Sequence, residues 1–211
     1  MVGLVRRWRS STATIAFATV AAAILSACTI QLAPAPDKAL SDGIKGLNND
    51  IMTLYATAGM AATRDSFPQR ADRYNKIIGT ADALALQSQS RPVPDSAIRD
   101  KVENALHARF VSDPQPSAAA TSAMKMAADE CADALHVPRT PAIPPVAPVP
   151  ADTQQYIPAS AMALTQVSRA IAFLRDTDCA HGLNSGRVAV NKGEVQHFIS
   201  EALFYEYMLQ R

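Results

Sequence analysis

The chain has 211 residues, of which 48% are hydrophobic and 18% charged, with a formal net charge of +1. That length allows one domain with a sizeable core. No long run of like charge appears, which removes the electrostatic case for nucleic-acid binding.

Arg6, Arg7 and Arg9 form a positive front, and no acidic residue precedes Cys28. An alanine-rich apolar stretch follows from Ile15 to Leu25. It is shorter than the ~20 apolar residues that an ordinary membrane-spanning helix needs. A basic front, a short apolar middle and a small-residue end together mark a secretory signal. The stretch closes on Leu25-Ser26-Ala27-Cys28. This resembles the lipobox of bacterial lipoproteins, an aliphatic residue and two small ones before a cysteine. The resemblance covers residues 1–28 only.

The resemblance implies transfer of diacylglycerol to the Cys28 thiol, cleavage after Ala27, and fatty acylation, such as palmitoylation, of the freed amine. Each buried methylene contributes about 0.8 kcal/mol, so several chains hold firmly where one holds marginally. Thr29 stands where an aspartate commonly retains such proteins at the inner membrane. The implied location is therefore the outer membrane, on its periplasmic face, or the cell membrane in a Gram-positive host. The Arg6-Arg7 pair lacks the apolar residues that follow a twin-arginine signal, so general secretion is the better reading. Residues 1–27 read as the signal peptide, 28–36 as acylated cysteine and proline-stiffened tether, and 37–211 as a single helical domain.

Cleavage there removes three of the 20 basic side chains and none of the 19 acidic ones, leaving the body slightly acidic. Two cysteines remain, Cys131 and Cys179. In an oxidising periplasm an even pair reads as one disulfide. The chain-entropy model gives roughly 4 kcal/mol for closing a loop of 48 residues. The alternative is two buried thiols acting as small hydrophobes.

Helical periodicity runs through nearly all of the body. The first helix begins between Asp37 and Ser41. It carries Leu40, Ile44, Leu47, Ile51, Leu54, Ala58 and Ala61 in one stripe and ends at Phe67-Pro68. Asp65 or Ser66 is placed to cap a second helix opening on Pro68, with Tyr74, Ile77, Ala81 and Leu84 as its stripe. Beside it, Arg70, Arg73 and Lys76 lie among Asp72 and Asp82 and read as a solvated helix face. After "RPVP" at 91–94, Asp95 or Ser96 caps a third helix bearing Ile98, Val102, Ala105, Leu106 and Phe110. A fourth, from about Ser117, presents Met124, Ala127, Cys131 and Leu135.

Seven of the 14 prolines fall within residues 137–158, which should be extended with polyproline II character. A fifth helix follows Pro158 with Met162, Leu164, Val167, Ile171 and Leu174, ending near Cys179 to Gly182. A last helix from about Lys192 carries Val195, Phe198, Ile199, Ala202, Tyr205 and Leu209. "RVAV" at 187–190 is the one candidate strand. The predicted fold is all-α, an antiparallel bundle of five or six helices with a proline-rich extended segment.

No zinc-protease, nucleophile-elbow, Walker or dinucleotide motif occurs in the chain. One constellation offers chemistry. A Cys131–Cys179 bond would draw Asp129, Glu130 and His136 toward Asp176, Asp178 and His181, and His136, Asp178 and His181 could then bind a metal or act as acid and base. The structural alternative is that both histidines end helices, where a cation complements the dipole. His107 and His197 read as surface or boundary residues. In the last helix Phe204 and Met208 point away from the Phe198–Ala202–Leu209 face. They are candidates for partner binding unless another helix covers them.

The leading functional reading is a non-enzymatic accessory or interaction module, anchored to the membrane by lipid and meeting another envelope protein. It calls for no cofactor. The alternative is a periplasmic enzyme or metal-binding protein using the histidine–carboxylate cluster. A third class, a carrier of a small apolar ligand between helices, is compatible with the composition.

Overall fold

Asp37 starts the first helix by accepting the Leu40 N–H at 2.9 Å, satisfying one of the donors a helix N-terminus leaves open. The computed structural model describes residues 37–59, 62–110, 118–136 and 156–210, all within one compact unit. Residues 1–27, read above as a signal peptide, Cys28 with the expected tether 28–36, and residues 137–155 of the proline-rich segment lie outside the described residues; 156–158 are non-helical.

Six helices follow in order: α1 Lys38–Ala58, α2 Pro68–Gln89, α3 Ser96–Arg109, α4 Ala118–Leu135, α5 Ala159–His181 and α6 Ser185–Leu209. The fold is the all-α bundle expected, with no strand among the described residues. Its centre is α1, α2, α5 and α6. Asp50–Lys76 and Asp37–Gln87 pair α1 with α2. Arg70–Asp178 and Ser88–Ser160 pair α2 with α5. Asn191–Ala170 and Glu206–Ser160 pair α6 with α5, and Asn191–Tyr55 joins α6 to α1. Each low number meets a high one, so neighbours around this square run antiparallel. Outside it, α4 packs against α5 and α3 against α6.

The predicted stripes form the core. Leu40, Ile44, Leu47, Ile51, Leu54 and Ala58 of α1 are buried against Tyr74, Ile77, Ala81 and Leu84 of α2 and the α5 and α6 stripes. Burying each large side chain contributes about 1.5–3 kcal/mol relative to leaving it exposed. Ala61 lies outside the described residues. Two stripe members do not hold: Met162 is 51% exposed and Leu135 49%. Leu135 is the last residue of α4, and Met162 points out of a turn of α5 whose Ser160, Ala161, Ala163 and Leu164 are buried.

Three boundaries differ from expectation. First, α1 stops at Ala58, well before Phe67-Pro68: Gly59 makes a last helical bond to the Tyr55 carbonyl, and Ala62 is already paired with Leu183 in a β-bridge. Second, α2 does open on Pro68, but its cap is Phe67 rather than Asp65 or Ser66, which lie in a 3-10 turn, Arg64–Ser66. Third, "RVAV" is helical. Asn184 accepts the Arg187 N–H at 2.8 Å and starts α6 at Ser185, not near Lys192. Val188 is buried while Val190 is 75% exposed; a strand would put both on one face, whereas a helix turns them apart.

Between α5 and α6 the chain turns at Gly182, with φ 72° and ψ −178°, a region essentially reserved for glycine. A Cβ there would sit 2.5 Å from the Ala62 carbonyl oxygen.

Candidate functional site

Cys131 lies on the buried side of α4 and Cys179 near the end of α5, and a disulfide joins them. It brings their neighbours together only in part. The His181 Nε2 meets Glu130 Oε2 at 2.8 Å, with side chains 57% and 44% exposed. An exposed pair of this kind contributes little to stability. Asp129 pairs with Lys125, one turn back on its own helix. Asp176 pairs with Arg175, which also reaches Asn75 at 3.0 Å. His136 stands exposed just past α4 with φ 56°.

Asp178 turns the other way. Its carboxylate is fully buried and takes both Nε and Nη2 of Arg70 at 2.8 Å, plus the Tyr74 hydroxyl at 3.0 Å. A bidentate guanidinium matches a carboxylate in geometry as well as charge. The remaining Arg70 donors reach the Ser66 and Thr63 carbonyls. Desolvation, then the adjacent Asp178 charge, push the Tyr74 phenol above its ordinary range, so it stays a donor. His136, Asp178 and His181 are therefore not a shared ligand set, and no group of three metal-ligating side chains occurs among the described residues. Arg70 likewise corrects the solvated-face reading: it is buried, whereas Arg73 and Lys76 are exposed and reach Thr57 and Asp50.

The opposite end of the bundle holds a second buried polar group. Arg91 bonds Glu206, which is 1% exposed. Ser160 donates to Glu206 at 2.7 Å, so the Ser88 hydroxyl, 2.7 Å from Ser160, must be the donor in that contact. A hydroxyl–hydroxyl–carboxylate chain has the atoms of a general-base relay. Ser88 and Ser160 are wholly buried, however, so no substrate reaches them and the chain acts as a tie between helices. Midway along the bundle, Tyr55 donates to Asn191, which donates to the Ala170 carbonyl. No buried side-chain donor or acceptor among the described residues lacks a partner.

Sequence reading missed these ties, although their positions carried a signal. Arg70 and Ser88 fall on the α2 stripe with Tyr74, Ile77, Ala81 and Leu84. Asp178 continues Leu164, Val167, Ile171 and Leu174; Asn191 and Glu206 fall on the stripe of α6. A polar residue in register with a buried stripe must be buried, and a buried charge must be paired.

Phe204 and Met208 are half-buried against α3, which is the further helix whose absence their partner role required. The Phe204 ring meets Phe110 at 5.8 Å and carries the Arg109 guanidinium 4.8 Å above it. His197 is a boundary residue, edge-on to Phe110 and Phe198.

Two open grooves flank the α5–α6 turn. One, of about 390 Å³, is lined by Phe173, Leu174, Val190 and Glu194. The other, of about 530 Å³, is lined by Arg64, His181 and Leu183; Arg187 and Asn184 border both. Neither groove contains a paired nucleophile and base. No family model matches the chain, and no curated protein and no solved structure is detectably similar to it.

Proposed function

We propose that this chain is a lipid-anchored lipoprotein of the bacterial envelope, held at the outer membrane on its periplasmic side, whose helical body is a non-enzymatic accessory or interaction module. The observation that carries the reading is the sequence Leu25-Ser26-Ala27-Cys28 closing a short apolar run behind Arg6, Arg7 and Arg9. Two structural facts support it. The Cys131–Cys179 disulfide suits an oxidising compartment. Asp37 caps α1, which places the first described helix just after the segment 28–36 read from the sequence as a tether.

Among the described residues no helix is long and apolar enough to cross a membrane. On this reading the lipid on Cys28 does the anchoring. The enzymatic alternative needs Asp178, and that carboxylate is taken up by Arg70 and Tyr74. The body instead has the character of a braced scaffold, with polar side chains spent on internal ties. Its partner is another envelope protein, and residues 137–158 remain the sequence-based candidate for a docking segment, since a polyproline II stretch loses little entropy on binding.

The test is metabolic labelling with a fatty-acid analogue. The parent should carry label in the membrane fraction; Cys28→Ala should carry none and appear as uncleaved precursor or soluble protein. Equal label on both proteins would discard the anchor.

A further inference from the structure

Among the described residues eight large hydrophobic side chains are exposed, and five of them gather at one end of the bundle: Leu86, Val93, Ile157, Met162 and Tyr207. The polar group around Glu206 fixes their proximity. Ser88, Ser160 and Glu206 are hydrogen-bonded in series, and Arg91 bonds Glu206. Leu86, Val93, Met162 and Tyr207 each stand within two residues of a member of that group, and Ile157 stands three before Ser160. At 1.5 Å per residue, Leu86, Met162 and Tyr207 lie within about 5 Å of the ends of α2, α5 and α6. Val93 and Ile157 occupy the non-helical links that enter α3 and α5. The other three, Met126, Leu135 and Val190, are on α4 and early α6. Single apolar residues on a surface need no explanation, but a gathered set marks a binding surface.

The occupant follows from where the chain leaves this end. Asp37, which caps α1, accepts a hydrogen bond from Gln87, the neighbour of Leu86. Nine peptide steps separate Cys28 from Asp37, at most about 30 Å of extended chain. A lipid on Cys28 therefore keeps this end within about 30 Å of the bilayer, while α6 carries Val190 about 25 Å further along the bundle. The cations here are matched: Arg91 bonds Glu206, Lys38 pairs with Asp42, and Arg99 stacks on the Tyr156 ring. Such a surface offers little to anionic headgroups. Apolar side chains beside tyrosine suit the boundary between headgroups and acyl chains.

We infer that the Glu206 end of the bundle is the face this protein lays on a lipid bilayer, with Leu86, Val93, Ile157, Met162 and Tyr207 entering the headgroup–acyl boundary of zwitterionic lipid. The inference rests on the lipid anchor proposed above, which supplies the bilayer; the apolar rim belongs to the helical body. Each side chain would hold weakly alone. The anchor makes the contact intramolecular, so a shallow rim engages at raised effective concentration.

The chain has one tryptophan, Trp8, so in a Trp8→Phe background a single introduced tryptophan reports one position. Leu86→Trp, Met162→Trp and Val190→Trp each replace an exposed side chain and leave the core intact. Each full-length chain, processed in cells and purified, is reconstituted into phosphatidylcholine vesicles whose acyl chains carry bromine, a short-range quencher. The Leu86 and Met162 probes should be quenched at least threefold more than the Val190 probe. That difference should persist at about 1 M salt, where the Debye length falls to about 3 Å. Replacing Leu86, Val93 and Ile157 by serine should at least halve the quenching of Met162→Trp. Val93→Trp serves in place of either probe at this end should that variant lose its cooperative urea transition.

A Val190 probe quenched as strongly as the other two, on chains that carry the fatty-acid label, overturns the inference and leaves the anchor standing. So does loss of the difference in salt, which would make the attraction one of charge. A Leu86 probe shielded from aqueous iodide yet unquenched by brominated lipid would put another protein there, and overturns it too. Chains without lipid label whose Leu86 and Met162 probes are still quenched on adding vesicles sink the anchor and leave the lipid-facing end standing.

Discussion

At one end of the bundle Arg70 on α2 meets Asp178 on α5; at the other Arg91, just past α2, meets Glu206 on α6, and both pairs are almost wholly out of solvent. Around the first, the backbone is fastened as well: the Cys131–Cys179 bond, the Ala62–Leu183 bridge and the turn at Gly182 all lie within a few residues of Asp178. Around the second, the ties between helices among the described residues are side chains. Ser160 reaches Glu206, Ser88 reaches Ser160, Gln87 reaches Asp37, and the Tyr156 and Tyr205 hydroxyls meet at 3.0 Å. Desolvation first, and the Tyr156 contact second, raise the Tyr205 phenol above its usual range, so it stays protonated, and either hydroxyl can donate in that contact. Helix α3, packed on α6 alone among the described helices, sits at this second end. The comparison teaches that opening should begin where no covalent or backbone tie opposes it.

The largest effect should come from cutting the charge pair at the fastened end. Asp178→Ala leaves the Arg70 guanidinium buried opposite nothing, and losing one member of a buried pair costs about 3–5 kcal/mol. Urea unfolding should show the midpoint falling by that amount. A loss under about 1 kcal/mol would mean that Arg70 swings out to water and that the pair is no closure.

Reducing the disulfide should come next, at about 2–4 kcal/mol. It also tests the asymmetry directly. With the bond intact, amides around residues 174–181 should exchange more slowly than those around 203–209. After reduction the two ends should approach one another, while α3 exchanges first in both states. If α3 amides exchange with the bundle, the order of opening proposed above is wrong.

At the side-chain end, Glu206→Gln keeps an acceptor for Ser160 but loses the charge opposite Arg91. Charge-assisted hydrogen bonds are worth about 1.5–3 kcal/mol. The loss should lie within that range, with faster exchange confined to α3, the start of α5 and the end of α6. Spread of the effect to the Asp178 end would show that the two closures act as one unit.

The comparison also separates what could be read in the chain from what could not. Where a stripe is apolar the element and its buried face were legible, as in α1 from Leu40 to Ala58 and α2 from Tyr74 to Leu84. Where the stripe carries a polar residue, composition misleads: Arg70 sits among Asp72 and Arg73 and looks solvated, yet its register with Tyr74 places it inside. The pairing of Arg70 with Asp178 spans 108 positions and depends on which helices become neighbours, which no local pattern encodes. Cys131 and Cys179 were legible as a pair because only two cysteines remain after Cys28, but their effect on nearby acids was not, since Asp178 is claimed from the other side. The start of α6 was obscured by Gly186 and Gly193 in a helix and by the alternation of Val188 and Val190. The fate of Phe204 and Met208 turned on α3 lying over them, a placement set by tertiary packing alone.

The smallest effect tests whether the second end draws on charge even at its edge. Asp37 caps α1 there: the Leu40 N–H holds its carboxyl below the usual range against the opposing effect of desolvation, with Gln87 and Arg91 lowering it further. A carboxyl lowered in the folded state contributes stability that is fully present above its unfolded value, near 3.9, and is lost as pH falls through the lower folded value. Asp37→Asn keeps a carbonyl for Leu40, and asparagine caps about as well as aspartate. It replaces the oxygen facing Gln87 by a donor, which a turned Gln87 amide can accept, and it removes the charge, whose interaction with a helix terminus is worth about 0.3–1 kcal/mol. The variant should therefore be less stable than the parent by that amount at pH 7, and equal to it at pH 2, where the parent carboxyl is increasingly protonated. Paired urea titrations from pH 7 to pH 2 measure this gap. A gap that persists unchanged at pH 2 would place the Asp37 contribution in its hydrogen bonds to Leu40 and Gln87 and remove charge from the account of that end.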